Sequence, residues 1–112
     1  ARSIKCSLLL LLLSVLPSAA QAQQAPKGAI RKGSLSNQKL ISDAMLGVAV
    51  NVSQRGCDTP RNFVPYVSRL PEGEVGSRTW QEIWVVYGCD RQYPVTIDFS
   101  ENGANSANWT IR

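Results

Sequence analysis

The chain has no histidine, and this absence excludes more chemistry than any residue present suggests. Ser–His and Cys–His nucleophile pairs, histidine general bases and histidine metal ligands are all ruled out within the 112 residues. Cysteine is scarce as well, with three residues at positions 6, 57 and 89. A structural zinc site on Cys57 and Cys89 would have to recruit carboxylates, an unusual ligand set. No metal and no other cofactor is therefore expected. Bilayer spanning takes about 20 apolar residues, whereas the longest apolar stretch, Leu8 to Leu16, is interrupted by Ser14 and closed by Pro17. Basic residues form no stripe of the kind that tracks phosphates: Arg31-Lys32 is the only adjacent pair. Nucleic acid is not an expected partner.

The N-terminal stretch has the three parts of an export signal. Arg2 and Lys5 precede the apolar run, Pro17 and Ser18 break it, and small residues lead into Ala20-Gln21-Ala22. Charge holds one end on the cytoplasmic side, the apolar run enters the translocon, and the peptidase accepts small side chains. The expected cut follows Ala22, with Ala20 as the alternative. Cys6 lies ahead of the apolar run, so it cannot serve as the acylated cysteine of a lipoprotein and leaves with the signal. Cleavage removes Arg2 and Lys5, two of the 12 basic residues, and keeps all 8 acidic ones, so net charge falls from +4 to +2.

Residues 1–22 thus read as signal peptide, 23–33 as a flexible leader, and 34–112 as one small domain. At this length a chain buries only about 60–65% of its unfolded surface and is marginal without reinforcement. Cys57 and Cys89 supply it once they reach an oxidising compartment. A bridge between them closes 33 residues and contributes about 3–4 kcal/mol in the chain-entropy account.

Along the domain, Ser36 is a candidate N-cap. Leu40, Ile41, Ala44 and Met45 recur at helical spacing, and Gly47 offers a stop. Val48, Val50 and Val52 then alternate as in a strand, although continuation of the helix through Gln54 also fits. Phe63 to Leu70 predicts a short strand that Pro65 confines to an edge. Residues 71–76 form a loop by their Pro and Gly content. Strands are predicted over Arg78 to Tyr87, around Val95, Ile97 and Phe99, and at Trp109 and Ile111. Asn102-Gly103 marks a hairpin between the last two. The fold class that follows is α+β: one N-terminal helix packed on an antiparallel sheet of three to five strands, ending in a meander.

The most informative cluster is Arg78-Thr79-Trp80-Gln81-Glu82-Ile83-Trp84. In a strand, Arg78, Trp80, Glu82 and Trp84 share one face. One reading makes that face a packed layer, with Arg78 stacked on Trp80 and paired to Glu82. The other makes it an aromatic groove with a carboxylate between two indoles, suited to a sugar ring or a peptide. Exposure of Glu82 between two open rings separates the two. Carboxylate chemistry by Glu82, Asp90 or Asp98 is the remaining enzymatic route, and a hydrolase would need two such groups lining one pocket. No catalytic residue is singled out.

The pattern Trp80-x-Glu82-x-Trp84-Val85-Val86, followed by Gly88-Cys89 and by Val95-x-Ile97-x-Phe99, resembles small exported bacterial proteins of uncharacterised function. The resemblance spans residues 78–100 or so. It implies export and paired cysteines, and carries no activity. The expected role is a non-enzymatic binding domain in the periplasm or the medium, with a protein or an envelope glycan as partner. A small carboxylate-dependent hydrolase and an inhibitor presenting loop 71–77 are the alternatives.

Overall fold

In the computed structural model, which describes residues 24–103 and 105–112, one helix lies on a five-stranded antiparallel sheet. The elements are β1 (Arg31–Lys32), α1 (Gln38–Gln54), β2 (Pro60–Glu72), β3 (Thr79–Gly88), β4 (Arg91–Glu101) and β5 (Ala107–Ile111). Spatial order equals chain order, β1-β2-β3-β4-β5. The expected α+β class holds, with the meander at the C-terminal end. The expected signal peptide and Cys6 lie outside the described residues.

The helix runs through both stretches that the sequence pattern divides. Leu40, Ala44, Val48 and Val52 are buried at four-residue spacing, so the valines belong to the helical stripe, and Val50 between them is exposed. Its N-cap is Asn37, one residue beyond the expected Ser36: Asn37 Oδ1 accepts from the Leu40 amide at 2.8 Å. The stop is Gly56. With φ of 108° it takes the left-handed region, its amide donates to the Ser53 carbonyl and that of Cys57 to the Val52 carbonyl. This is the paired-carbonyl C-cap that glycine makes cheap. Gly47 has a different task. It sits in mid-helix because the Trp109 ring lies against its Cα: a Cβ there would come within 2.5 Å of Trp109 Cζ3.

Under the helix, Trp80, Trp84 and Val86 of β3 join Tyr93, Val95, Ile97 and Phe99 of β4 in one core. Trp80 stacks on its cross-strand partner Phe99, with centroids 5.0 Å apart. A smaller cluster of Val64, Tyr66 and Val85 occupies the opposite face, covered by Ala29. The stretch expected as a flexible leader is therefore tied down in its latter part. Ile30 and Gly33 donate to the Val67 and Pro65 carbonyls, and β1 pairs with β2 from Arg31↔Val67.

The strand that Pro65 was expected to confine to an edge is not the edge: β2 lies between β1 and β3. The Pro65 carbonyl faces β1, so its missing donor faces that short strand too. β2 is longer than expected, but it lies next to an edge strand of two residues.

Candidate functional site

Trp80, Glu82 and Trp84 are brought together, but inside the protein: their exposures are 6%, 0% and 1%. Glu82 is a hub. Its Oε1 accepts from Trp84 Nε1 and Ser34 Oγ, both at 2.8 Å. Its Oε2 accepts from Trp80 Nε1 at 2.8 Å and from the Leu35 amide at 2.9 Å, with Ser36 Oγ at 3.5 Å. The rings of Trp80 and Trp84 thus turn their polar edges to one carboxylate and their apolar faces to the core. A buried carboxylate requires full hydrogen bonding, and here two indoles, a backbone amide and a serine hydroxyl provide it. The arrangement fastens residues 34–36, just ahead of the helix, to the central strand. It leaves no open groove for a sugar between the indoles.

Arg78 is not part of that cluster. It precedes β3, and its guanidinium forks onto Glu101, Nε to Oε1 at 2.9 Å and Nη2 to Oε2 at 2.7 Å. The expected stacking on Trp80 and pairing with Glu82 are corrected: Phe99 takes the ring face and neutral donors take the carboxylate.

Glu101, which no sequence pattern marks, organises one end of the sheet. Besides Arg78 it accepts from the Gly76 and Arg78 amides, each at 2.9 Å. Hydrogen bonds from Arg78 lower its carboxyl from the ordinary 4.5 to about 2. The β2–β3 loop is further fixed by Ser77 N to Glu74 O, and is tied to the β4–β5 loop by Gly103 N to Gly76 O. Between these loops and the start of α1 lies a cleft of ≈ 320 Å³ whose walls include Asn37, Leu40, Val75, Arg78, Trp80 and Asn105. Val75 stands 84% exposed on the clamped loop.

On the face away from the helix, Asp98 accepts from Arg112 Nε at 2.7 Å and Gln81 Nε2 at 3.0 Å. Arg112 chiefly holds its carboxyl below the usual range. At the other end of the sheet, Cys57 and Cys89 form the expected disulfide, Cα–Cα 5.9 Å. It ties the end of α1 to the two-residue β3–β4 turn, where Cys89 and Asp90 both have positive φ. A wide hollow of ≈ 640 Å³ beside the bridge is bordered by Thr59, Arg61, Tyr87, Asp90, Arg91 and Gln92. Burial pushes the Tyr87 hydroxyl up, and it has no hydrogen-bond partner among the described residues.

The carboxylates named as candidates are kept apart. Glu82 and Asp98 project from opposite faces of the sheet, as the register Glu82↔Ile97 and Gln81↔Asp98 requires. Among the described residues, Glu101 is the one carboxylate lining the cleft at the loop end and Asp90 the one lining the hollow by the bridge. Among the described residues no group of three His, Cys, Asp or Glu is placed to hold a metal ion. No helix among them is long and apolar enough to cross a membrane. No family model, no curated protein and no solved structure matches the chain.

Proposed function

We propose that this chain is an exported, non-enzymatic binding domain that engages a protein partner with the end of the sheet formed by loop 73–78 together with residues 102–103 and 105–106. The observation that carries the reading is the Glu101 clamp. A carboxylate held by four hydrogen bonds fixes a loop whose tip presents an apolar side chain, Val75, to solvent. Loops fixed before binding lose less entropy on association, which favours affinity. A protein fits better than a glycan, because the indoles that could stack on a sugar ring are spent on the core. Export is supported by the apolar leader and by the Cys57–Cys89 bridge, which suits an oxidising compartment. A hydrolase needs two carboxylates lining one pocket, whereas Glu101 and Asp90 stand in separate hollows.

The test is capture from the host envelope fraction and medium with the immobilised protein. Replacing residues 72–76 by a Gly/Ser stretch, or Val75→Asp alone, should abolish capture while the thermal transition stays in place. Undiminished capture by both variants would sink the reading.

A further inference from the structure

The two edges of the sheet are built differently. At the β1 edge, Arg31 and Lys32 are exposed, and β2 behind them carries Pro60, Pro65 and Pro71. Charge and proline at an edge are devices that block strand pairing. At the opposite edge, β5 reads Ala107-Asn108-Trp109-Thr110-Ile111, without a charge or a proline. Arg112 N donates to the Thr96 carbonyl, so the even-numbered residues of this strand turn their backbone groups toward β4. The amides and carbonyls of Ala107, Trp109 and Ile111 therefore face outward, and no described backbone group meets them.

We infer that β5 is a dimerisation edge: two copies of this chain pair β5 to β5 antiparallel about a two-fold axis through Trp109, making one continuous sheet across both copies. The register follows from counting. With Trp109 opposite Trp109 of the second copy, Ala107 lies opposite Ile111 and every outward group is used, whereas a shift of two residues leaves some unpaired. Side-chain sizes agree, a small Ala107 facing a larger Ile111. On the opposite face Asn108 meets Thr110, an amide against a hydroxyl. The same axis places both helices on one side of the joined sheet.

The helix supports a second copy over an isolated extended peptide. Val50 lies three residues beyond Gly47, the position on which Trp109 rests, and therefore on the shoulder of α1 above this edge. Val50 is 57% exposed and Leu46, one turn earlier, 72%. A lone peptide on β5 would leave both in water; a second copy brings its own helix alongside. Antiparallel pairing also sends the two Glu101-clamped loop ends in opposite directions, so the dimer leaves both free for partners.

The experiment is sedimentation equilibrium of the protein expressed from its full chain and recovered after export. Twice the protomer mass is expected, with concentration-dependent protection of the Ala107, Trp109 and Ile111 amides from hydrogen exchange. Asn108 and Thr110 are both exposed, so they can be changed without touching the core. N108K/T110K sets like charges opposite each other across the axis and should give a protomer that keeps the far-ultraviolet circular dichroism of the folded domain. N108K/T110E sets opposite charges against each other at the same two positions and should restore the dimer. A wild-type protein that stays a protomer at every concentration overturns the inference. So does a dimer indifferent to N108K/T110K, or one that N108K/T110E fails to restore.

Discussion

Glu82 illustrates how a residue can look functional for a reason that is architectural. A carboxylate flanked by two tryptophans on one strand face suggests a binding groove, but the same spacing lets both indole N–H groups reach it from within the core. What decides between these is the covering layer, and the serines and the amide that supply it come from residues 34–36, more than 45 positions away. Nothing local in the sequence signals that contact. Glu82→Ala strands two buried indole donors and a backbone amide, at roughly 1–3 kcal/mol each when unmatched. Chemical denaturation should show a loss of about 3 kcal/mol or more. A loss below about 1 kcal/mol would mean that the hub is not closed in solution.

Glu101 gives a second test at this scale. Its folded-state carboxyl lies at about 2, below the ordinary 4.5, so the stability it contributes is fully present above that ordinary value. It fades as pH falls through 4.5 toward 2. Asp98, lowered by Arg112, acts in the same direction. In urea titrations across this range, Glu101→Gln should flatten the acid loss of stability relative to wild type. An acid limb identical in the variant would show that Arg78 and the loop amides do not hold the carboxylate.

Among the elements, strands were more legible than the helix. β3, β4 and β5 show in the sequence because alternation and aromatic content point the same way, and their pairing follows chain order. The helix misleads at Gly47, a stop signal by local chemistry that the fold uses as a seat for a ring from β5, some 60 residues later. Val48 and Val52 fit period two and period four equally, so only the helix's burial against the sheet separates them. Gly88 behaves similarly: a Cβ there would press within 2.9 Å of the Thr59 carbonyl oxygen and 3.2 Å of Cys57 Sγ, contacts invisible in sequence. Gly47→Ala tests the helix directly. Propensity alone favours alanine by about 1 kcal/mol, yet the collision with Trp109 should reverse the sign and cost about 1–3 kcal/mol. In a Trp109→Ala background the same change should stabilise, and thermal melts of the four-member cycle report it. Stabilisation in the wild-type background would contradict the seating of Trp109.

At the scale of the whole molecule, a thin core of one helix on one sheet is joined at each end by a different device. At the loop end the device is electrostatic, Glu101 gathering Arg78 and two amides. At the other end it is covalent, the bridge that joins the helix stop at Gly56-Cys57 to the β3–β4 turn. The bridge was legible because two cysteines in a domain expected to be exported have few other fates. The clamp was not, because an arginine and a glutamate 23 positions apart carry no mark of their pairing. Cys57→Ser with Cys89→Ser should lower unfolding stability by about 3–4 kcal/mol. The most direct measurement of the account as a whole is the intact mass of the protein taken from its native compartment, before and after reduction. The expected protein is a chain starting at Gln23, or at Gln21 for the alternative cut, that gains two hydrogens on reduction and takes alkylating reagent on two thiols only then. A mass that retains residues 1–22, or thiols that alkylate without reductant, would contradict it.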